Sequence, residues 1–270
     1  MVFKRKLIQL HQLLGQFGLD PRRFLRSLRR LPFFLRTWRQ FRQGYAGKMI
    51  LMPFLQERYE EGGATKTEYF WQDLLVARWI FKAQPQRHVD VGSSVEGFVA
   101  HVASFREIEV YDVRQITTQV PGVVFKQADI MQSGSLPGAE GGGYCDSLSC
   151  LHAIEHFGLG RYGDPIDPQG YERGIANMAK ILKPGGRFYL STPIGQERVV
   201  FNANRVFAPR TIIRCAEANS LQLEELTVIG AGGAVRTVQL TEDALLDLAQ
   251  SYYNLGIFVF RKLTNSTTMD

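Results

Sequence analysis

The residues best placed to do chemistry lie in two runs, His88-Val-Asp-Val-Gly-Ser-Ser-Val-Glu-Gly-Phe98 and Glu109-Val-Tyr-Asp-Val-Arg114. Each reads as a strand that ends at an acid, and the first continues through a glycine turn into a helix. Gly92, Ser94 and Gly97 are spaced like a dinucleotide fingerprint, with serine at the middle position, where a missing side chain normally lets the backbone approach a pyrophosphate. Asp90 places a carboxylate near that turn, which repels a pyrophosphate and attracts an ammonium group. Asp112 is positioned to accept hydrogen bonds from both hydroxyls of a ribose. The pair of runs therefore predicts an adenosine-bearing cofactor. NAD and S-adenosylmethionine share the adenosine, and S-adenosylmethionine also carries the ammonium that Asp90 would favour.

A second cluster is His152-Ala-Ile-Glu-His156. On a helix, His-x-x-Glu-His puts two imidazoles on one face, where they can ligate zinc while the glutamate activates water. The context opposes that reading: the string follows a short strand, runs into Gly158, Gly160 and Gly163, and has no third ligand at a telling spacing, so no metal site is expected. As acid–base groups the same residues are more useful. A neutral histidine with a pKa near 6.5 suits a general base at neutral pH, with His156 the first candidate, His152 the second, and Glu155 or Asp164 as the orienting acid. The loop Gly158–Gly170 holds four glycines and two prolines, and its Arg161, Tyr162, Asp164 and Asp167 suit recognition of a polar, hydroxyl-bearing acceptor. Asp and Gly are also ordinary turn formers. Phe201–Arg205 is a weaker candidate for the same pocket wall.

These residues need a scaffold, and the apolar pattern supplies one. Strands are predicted near 87–91, 107–112, 122–126, 145–150 and 186–192, with helices near 95–104 and 170–182, the alternation of a doubly wound, mostly parallel α/β sheet. Lys183-Pro-Gly-Gly186 reads as a helix stop and tight turn. A helix near 209–219, a strand near 222–229, a helix near 241–252 and a last strand at 256–262 follow, and residues 264–270 read as a frayed tail. Upstream, the spacing of Tyr69–Phe81 predicts a helix packed on the sheet, its aromatics in the core, ended by Gln84-Pro85.

With 270 residues, 45% hydrophobic and 21% charged, the chain can bury one main core with an appendage. The expected organisation is a basic helical extension over 1–48, an accessory helical region over 49–85, the α/β domain over 86–263, and the tail. The net charge of +6 is uneven: residues 1–48 hold twelve Lys or Arg against Asp20, a net +11, and the remaining 20 bases and 25 acids give −5. Within the extension, apolar and arginine residues interleave to suggest two short amphipathic helices separated near Leu31-Pro32. Such helices can dock on the main domain, lie on an anionic membrane surface, or bind nucleic acid; no nucleic-acid module accompanies them, which disfavours the last. Cys145, Cys150 and Cys215 are too few and too irregularly spaced for a disulfide framework or a zinc knuckle and suit a reducing cytosol. No apolar run approaches the roughly 20 residues that span a bilayer, and Leu7–Leu14 lacks the cleavage pattern of a secretory signal. A cytoplasmic protein is expected, with the inner face of the membrane as its one alternative station.

Taken in order, Asp90–Gly97, Asp112, Gln127-Ala-Asp-Ile130, Cys145–His156 and Leu182-Lys-Pro-Gly-Gly-Arg-Phe188 resemble the class I S-adenosylmethionine-dependent methyltransferases over about residues 86–262. Leu151–Asp167 resembles, more narrowly, an uncharacterised bacterial subgroup of that superfamily found near polysaccharide-processing enzymes. The resemblance implies a Rossmann-like sheet with an antiparallel last strand and S-adenosylmethionine as cofactor. It also implies that Gly92 and Ser93 line the methionine moiety, that Asp112 binds ribose, and that Asp129 and Ile130 contact adenine. Asp90, Ser94 and Gly97 complete the expected cofactor set. The end of the fourth strand would face the transferable methyl, which puts His152, Glu155 and His156 near an acceptor such as a sugar or glycolipid-precursor hydroxyl. This sequence departs from the family pattern at Ser94 and places its next glycine, Gly97, one position late. A non-catalytic nucleotide-binding partner domain and a zinc hydrolase therefore stand as the alternatives.

Overall fold

Strands that are buried on both faces build the centre of the molecule. The computed structural model describes residues 11, 13–56, 63, 65–132, 134, 136–138 and 143–264. Residues 7–10 of the apolar N-terminal run and residues 265–270 of the tail lie outside that set. Strands β1 (His88–Val91), β2 (Ile108–Asp112), β3 (Val123–Gln127), β4 (Cys145–Leu151) and β5 (Leu182–Ile194) pair in parallel, in the order β3-β2-β1-β4-β5. Two short strands, β6 (Arg198–Val200) and β7 (Asn204–Val206), form a separate hairpin. The main sheet continues through β10 (Asn254–Lys262), β8 (Leu221–Ile229) and β9 (Val235–Thr237), all antiparallel to their neighbours, with β10 inserted between β5 and β8. This is the mixed sheet of the methyltransferase-like fold that the resemblance implied.

Alternation along the strands feeds two apolar layers. Leu255, Ile257 and Val259 of β10 pack with one layer, which includes Val76, Ala77 and Ile80 of α2 (Glu68–Ala83) and Val102 of α3 (Ala100–Ala103). Phe258 and Phe260 turn to the other, where they meet residues of α4 (Gly170–Ile181), α5 (Pro209–Glu217) and α6 (Glu242–Gln250). Thr67 caps α2 by accepting from the Phe70 amide at 3.3 Å, and Gln84, left-handed at φ 46°, ends it before Pro85.

The chain divides into two compact units, Met1–Ala64 and Thr65–Asp270. The division falls inside 49–85, so α2 goes with the sheet, as its apolar face requires. In the first unit the two short helices expected around Leu31-Pro32 are one continuous helix, α1 (Pro21–Gly44), with Pro32 inside it. Proline removes one backbone donor, at a cost of about 3 kcal/mol, but the helix-permissive residues on both sides carry the axis across. Asp20 caps α1 by accepting from the Arg23 amide at 2.8 Å.

Two further expectations shift. The segment 95–104 begins with a wide π turn, Val95–Val99, in which the Val99 amide reaches back to Ser94, and only Ala100–Ala103 is α-helical. The turn at Lys183–Gly186 is absorbed into β5, because Leu182 already pairs with Cys145 before the register shifts. Among the described residues no helix is long and apolar enough to cross a membrane. Cys145, Cys150 and Cys215 are free thiols.

Phe258 is fully buried and stacks on Phe260 with ring centroids 5.8 Å apart. Phe258→Ala is expected to cost about 3–5 kcal/mol, read as a lower urea midpoint; an unchanged midpoint would place the core elsewhere.

Candidate active site

The carboxyl ends of β1, β2 and β4 open onto a cleft of about 580 Å³, within the range of about 300–1,000 Å³ usual for small-molecule sites. Its floor is set by the turn after β1. There Asp90 is wholly buried and its carboxylate accepts from the Ser93 amide (3.1 Å), the Ser93 hydroxyl (2.6 Å) and the Ser149 hydroxyl (2.5 Å). Ser93 Oγ in turn accepts from the Leu151 amide, tying the ends of β1 and β4 together. Burial pushes the Asp90 carboxyl up to about 6, against the pull of the Ser149 and Ser93 hydrogen bonds. Asp90 does not line the cleft, so the expected attraction of a cofactor ammonium by this group gives way to a structural role.

Gly92, Ser93 and Ser94 do line it. Gly92 sits at φ 71°, where a Cβ would come within 2.9 Å of the Ala153 Cβ. Its amide donates to the Tyr111 carbonyl at 2.8 Å, and that of Ser93 to Asp90, so neither is free for a ligand. Gly97 lies behind the wall, and a Cβ there would run into the Asp73 carboxylate of α2. Its glycine answers to helix packing rather than to cofactor contact.

Asp112, Asp129 and Ile130 also face the cleft. Asp112 is gripped by Arg114, with Nε 3.0 Å from Oδ1 and a terminal nitrogen 2.7 Å from Oδ2. The same guanidinium lies 4.5 Å from the centre of the Tyr162 ring, joining the second strand to the 158–170 loop. Asp129 accepts from the Met131 amide at 3.0 Å, while Asn177 holds the Ile130 carbonyl at 2.9 Å.

On the far side stand the two histidines, in opposite states. The segment Ile154–His156 is a single 3₁₀ turn, and His152 precedes it at φ 52°, so the His-x-x-Glu-His string presents no helical zinc face. Among the described residues no group of three or more His, Cys, Asp or Glu could hold a metal ion. His152 Nδ1 lies 2.6 Å from Glu155, Nε2 lies 3.3 Å from Glu68, and Tyr69 stacks on the ring at 4.5 Å. Burial opposes the charged ring, but the two carboxylates overcome it and raise the pKa to about 9. The two carboxylates thus favour the imidazolium at neutral pH, which weighs against His152 as the second candidate base. Burial likewise disfavours charge on His156, Glu155 offsets it only in part, and the pKa falls below the ordinary value. Its Nδ1 donates to the Ala203 carbonyl at 2.7 Å, which leaves Nε2 with the lone pair, 3.9 Å from Glu155. The orienting group expected among Glu155 and Asp164 is thus a backbone carbonyl.

The loop keeps its own acids. Asp164 lines the cleft, and its carboxylate also shapes the loop by accepting from the amides of Gly158 (3.0 Å), Gly160 (3.2 Å) and Tyr162 (3.1 Å). Asp167 is outside the cleft, where it pairs with Arg173 at 3.2 Å and accepts from the Gln169 amide just before α4. Arg161 and Tyr162 line the cleft, and Arg161 also donates to Ala203 O at 2.8 Å.

A family model described as Caenorhabditis protein of unknown function, DUF268, matches residues 143–218. That span holds β4, both histidines and the loop. No curated protein matches the chain. Among solved structures, the N-methyltransferase NodS from Bradyrhizobium japonicum WM9, in complex with S-adenosyl-L-homocysteine, is 15% identical with a TM-score of 0.49, over 75% of this chain and 89% of its own. The 1,6-didemethyltoxoflavin-N1-methyltransferase from Burkholderia thailandensis is 12% identical with a TM-score of 0.49, over 91% and 92%. YcgJ from Bacillus subtilis is 14% identical with a TM-score of 0.47, over 72% and 99%.

Several cleft residues escaped the sequence. Tyr69 opens the helix expected to face the core and Glu68 stands just outside it, yet both line the cleft, and Tyr253, just before β10, donates to Glu68. Burial would raise the Glu68 carboxyl, but hydrogen bonds from His152 and Tyr253 hold it below the usual range. Arg114 closes the second candidate run and carries no motif of its own. Asn204 lies in the Phe201–Arg205 segment already suspected, and Arg205 there braces the Phe157 carbonyl at 2.6 Å.

The raised His152 pKa has a testable sign. Its folded value of about 9 exceeds the ordinary 6.5, so its stabilisation is complete below about pH 6.5 and is lost as the pH rises through 9. Relative to His152→Gln, the wild type should lose on the order of 3 kcal/mol between pH 6 and 10, measured by urea unfolding across that range. Parallel pH profiles for the two proteins would refute the assignment.

Proposed function

We propose that the chain is an S-adenosylmethionine-dependent methyltransferase acting on a hydroxyl of a small polar acceptor, such as a sugar or glycolipid precursor. The observation that carries this reading is a single cleft lined by Gly92–Ser94, Asp112 and Asp129–Ile130 on one side and by His156 on the other. The residues fit the cofactor: the left-handed Gly92 brings backbone close to the cleft, Asp112 offers a ribose two oxygens once Arg114 shares them, and Asp129 and Ile130 flank an adenine. When bound, S-adenosylmethionine supplies a sulfonium methyl group open to displacement by an acceptor oxygen.

The chain's own residues then manage the proton and the geometry. His156 Nε2 takes the proton of the acceptor hydroxyl as that oxygen becomes the nucleophile. The Ala203 carbonyl fixes the required tautomer, and Glu155, 3.9 Å from Nε2, steadies the imidazolium that forms. Arg161, Tyr162, Asn204 and Tyr253 offer the polar contacts that orient a hydroxyl-bearing acceptor, and orientation is worth several kcal/mol of the barrier, up to about 7–11. The Asp112–Arg114 pair and Ser94 favour a second reading, a nucleotide-binding partner domain without turnover.

Calorimetric titration with S-adenosylmethionine tests the cofactor. Saturable binding is expected, weakened about 10- to 100-fold by Asp112→Ala, as for loss of hydrogen bonds to a charged group worth about 1.5–3 kcal/mol; no binding at millimolar ligand overturns the reading. Turnover on a panel of sugar acceptors should fall about 10²- to 10⁴-fold in His156→Ala with cofactor affinity unchanged. Because the His156 pKa is lowered from 6.5, the acidic limb of kcat/KM should lie below that pH. Cofactor binding with no turnover on any acceptor supports the second reading.

A further inference from the structure

The unit Met1–Ala64 carries a surface that methyl transfer does not use. α1 holds eight arginines and no acid, and none of its residues is buried. Phe24, Leu28, Leu31, Leu35 and Trp38 recur at steps of four and three, which sets them in one stripe, and Arg22, Arg26 and Arg29 fall on the opposite side. Phe24 is 63% exposed. The chain after the helix folds back along it, because Arg30 donates to the carbonyls of Leu55 (2.9 Å) and Gln56 (2.6 Å) while Gln56 reaches Ser27 Oγ at 2.5 Å. That return path adds Ile50, Met52 and Phe54 to the apolar surface, at 79%, 67% and 72% exposure.

We propose that this unit docks on an anionic lipid surface, its apolar residues entering the headgroup–acyl boundary and its arginines meeting lipid phosphates. Charge complementarity selects the occupant: residues 1–48 carry +11 against −5 for the rest of the chain, and an anionic leaflet attracts each arginine that comes near it. A nucleic acid would satisfy the arginines but leave Phe24, Ile50 and Phe54 in water. A second copy of the chain would cover the apolar residues but bring two sets of arginines together. Only an anionic bilayer meets both demands.

The test is flotation of the full chain with vesicles of phosphatidylcholine alone and of an equal mixture with phosphatidylglycerol, alongside size-exclusion chromatography. Binding to the mixed vesicles should be at least ~10-fold tighter than to the neutral ones and should weaken with salt. The double substitution Phe24→Ser with Leu28→Ser should weaken it by at least about 100-fold through the loss of two apolar anchors, with helical circular dichroism unchanged. Failure to float with anionic vesicles, equal binding to neutral ones, undiminished binding by the double variant, or tighter binding to a DNA duplex than to vesicles would each overturn the proposal. A concentration-dependent dimer broken by the same two substitutions would make the occupant a second copy instead. None of these readouts depends on the methyltransferase reading.

Discussion

A charged carboxylate sealed from water, Asp90, is the constraint around which the cleft is organised. An ionised group in that position is tolerated only because donors surround it, and those donors, Ser93 and Ser149, come from the turn after β1 and from β4, whose ends must meet. The chain of polar contacts runs further. Ser149 donates to Asp90 and therefore accepts from His88 Nε2 (3.2 Å), which leaves His88 Nδ1 to accept from Ser147 (2.8 Å). Burial drives the His88 pKa down to about 3, so the ring is neutral, as that sequence of donors and acceptors requires. A buried polar ladder with every member satisfied specifies the register of β1 against β4 in a way that Val and Leu packing alone would not.

The same chemistry explains how two histidines four residues apart come to differ. His152 lies between Glu68 and Glu155 and gains two countercharges. His156 has a carbonyl on one nitrogen and a more distant carboxylate on the other. Residue type fixed neither state; the left-handed backbone at His152 did, by turning its ring back towards α2. Glu155 serves both rings from a fully buried position, so the charge balance of the cleft is shared between them.

How much of this was legible in the chain follows from where each signal is encoded. The central strands declared themselves because Val89, Val110, Leu148 and Leu190 lie in short runs set between turn residues, a local pattern that survives without knowledge of partners. Pro32 misled, since a proline marks a helix break only when its flanks cannot continue. In the cleft, spacing located the right loops but could not say which way a carboxylate points: Asp112, Asp129 and Asp164 line the cavity, while Asp90 and Asp167 serve the fold with the same side chain. Glu68 and Tyr253 meet across 185 positions, a contact that only the assembled sheet creates.

The carbonyl that fixes the His156 tautomer belongs to Ala203, in the β6–β7 hairpin, and it is a main-chain atom. Its chemistry is the same whatever side chain stands there. A change of side chain at 203 leaves that contact with His156 in place, whereas a single inserted or deleted residue between 198 and 206 would misplace the acceptor atom. In this protein the feature to track through evolution is therefore the length of a hairpin, not the identity of a residue.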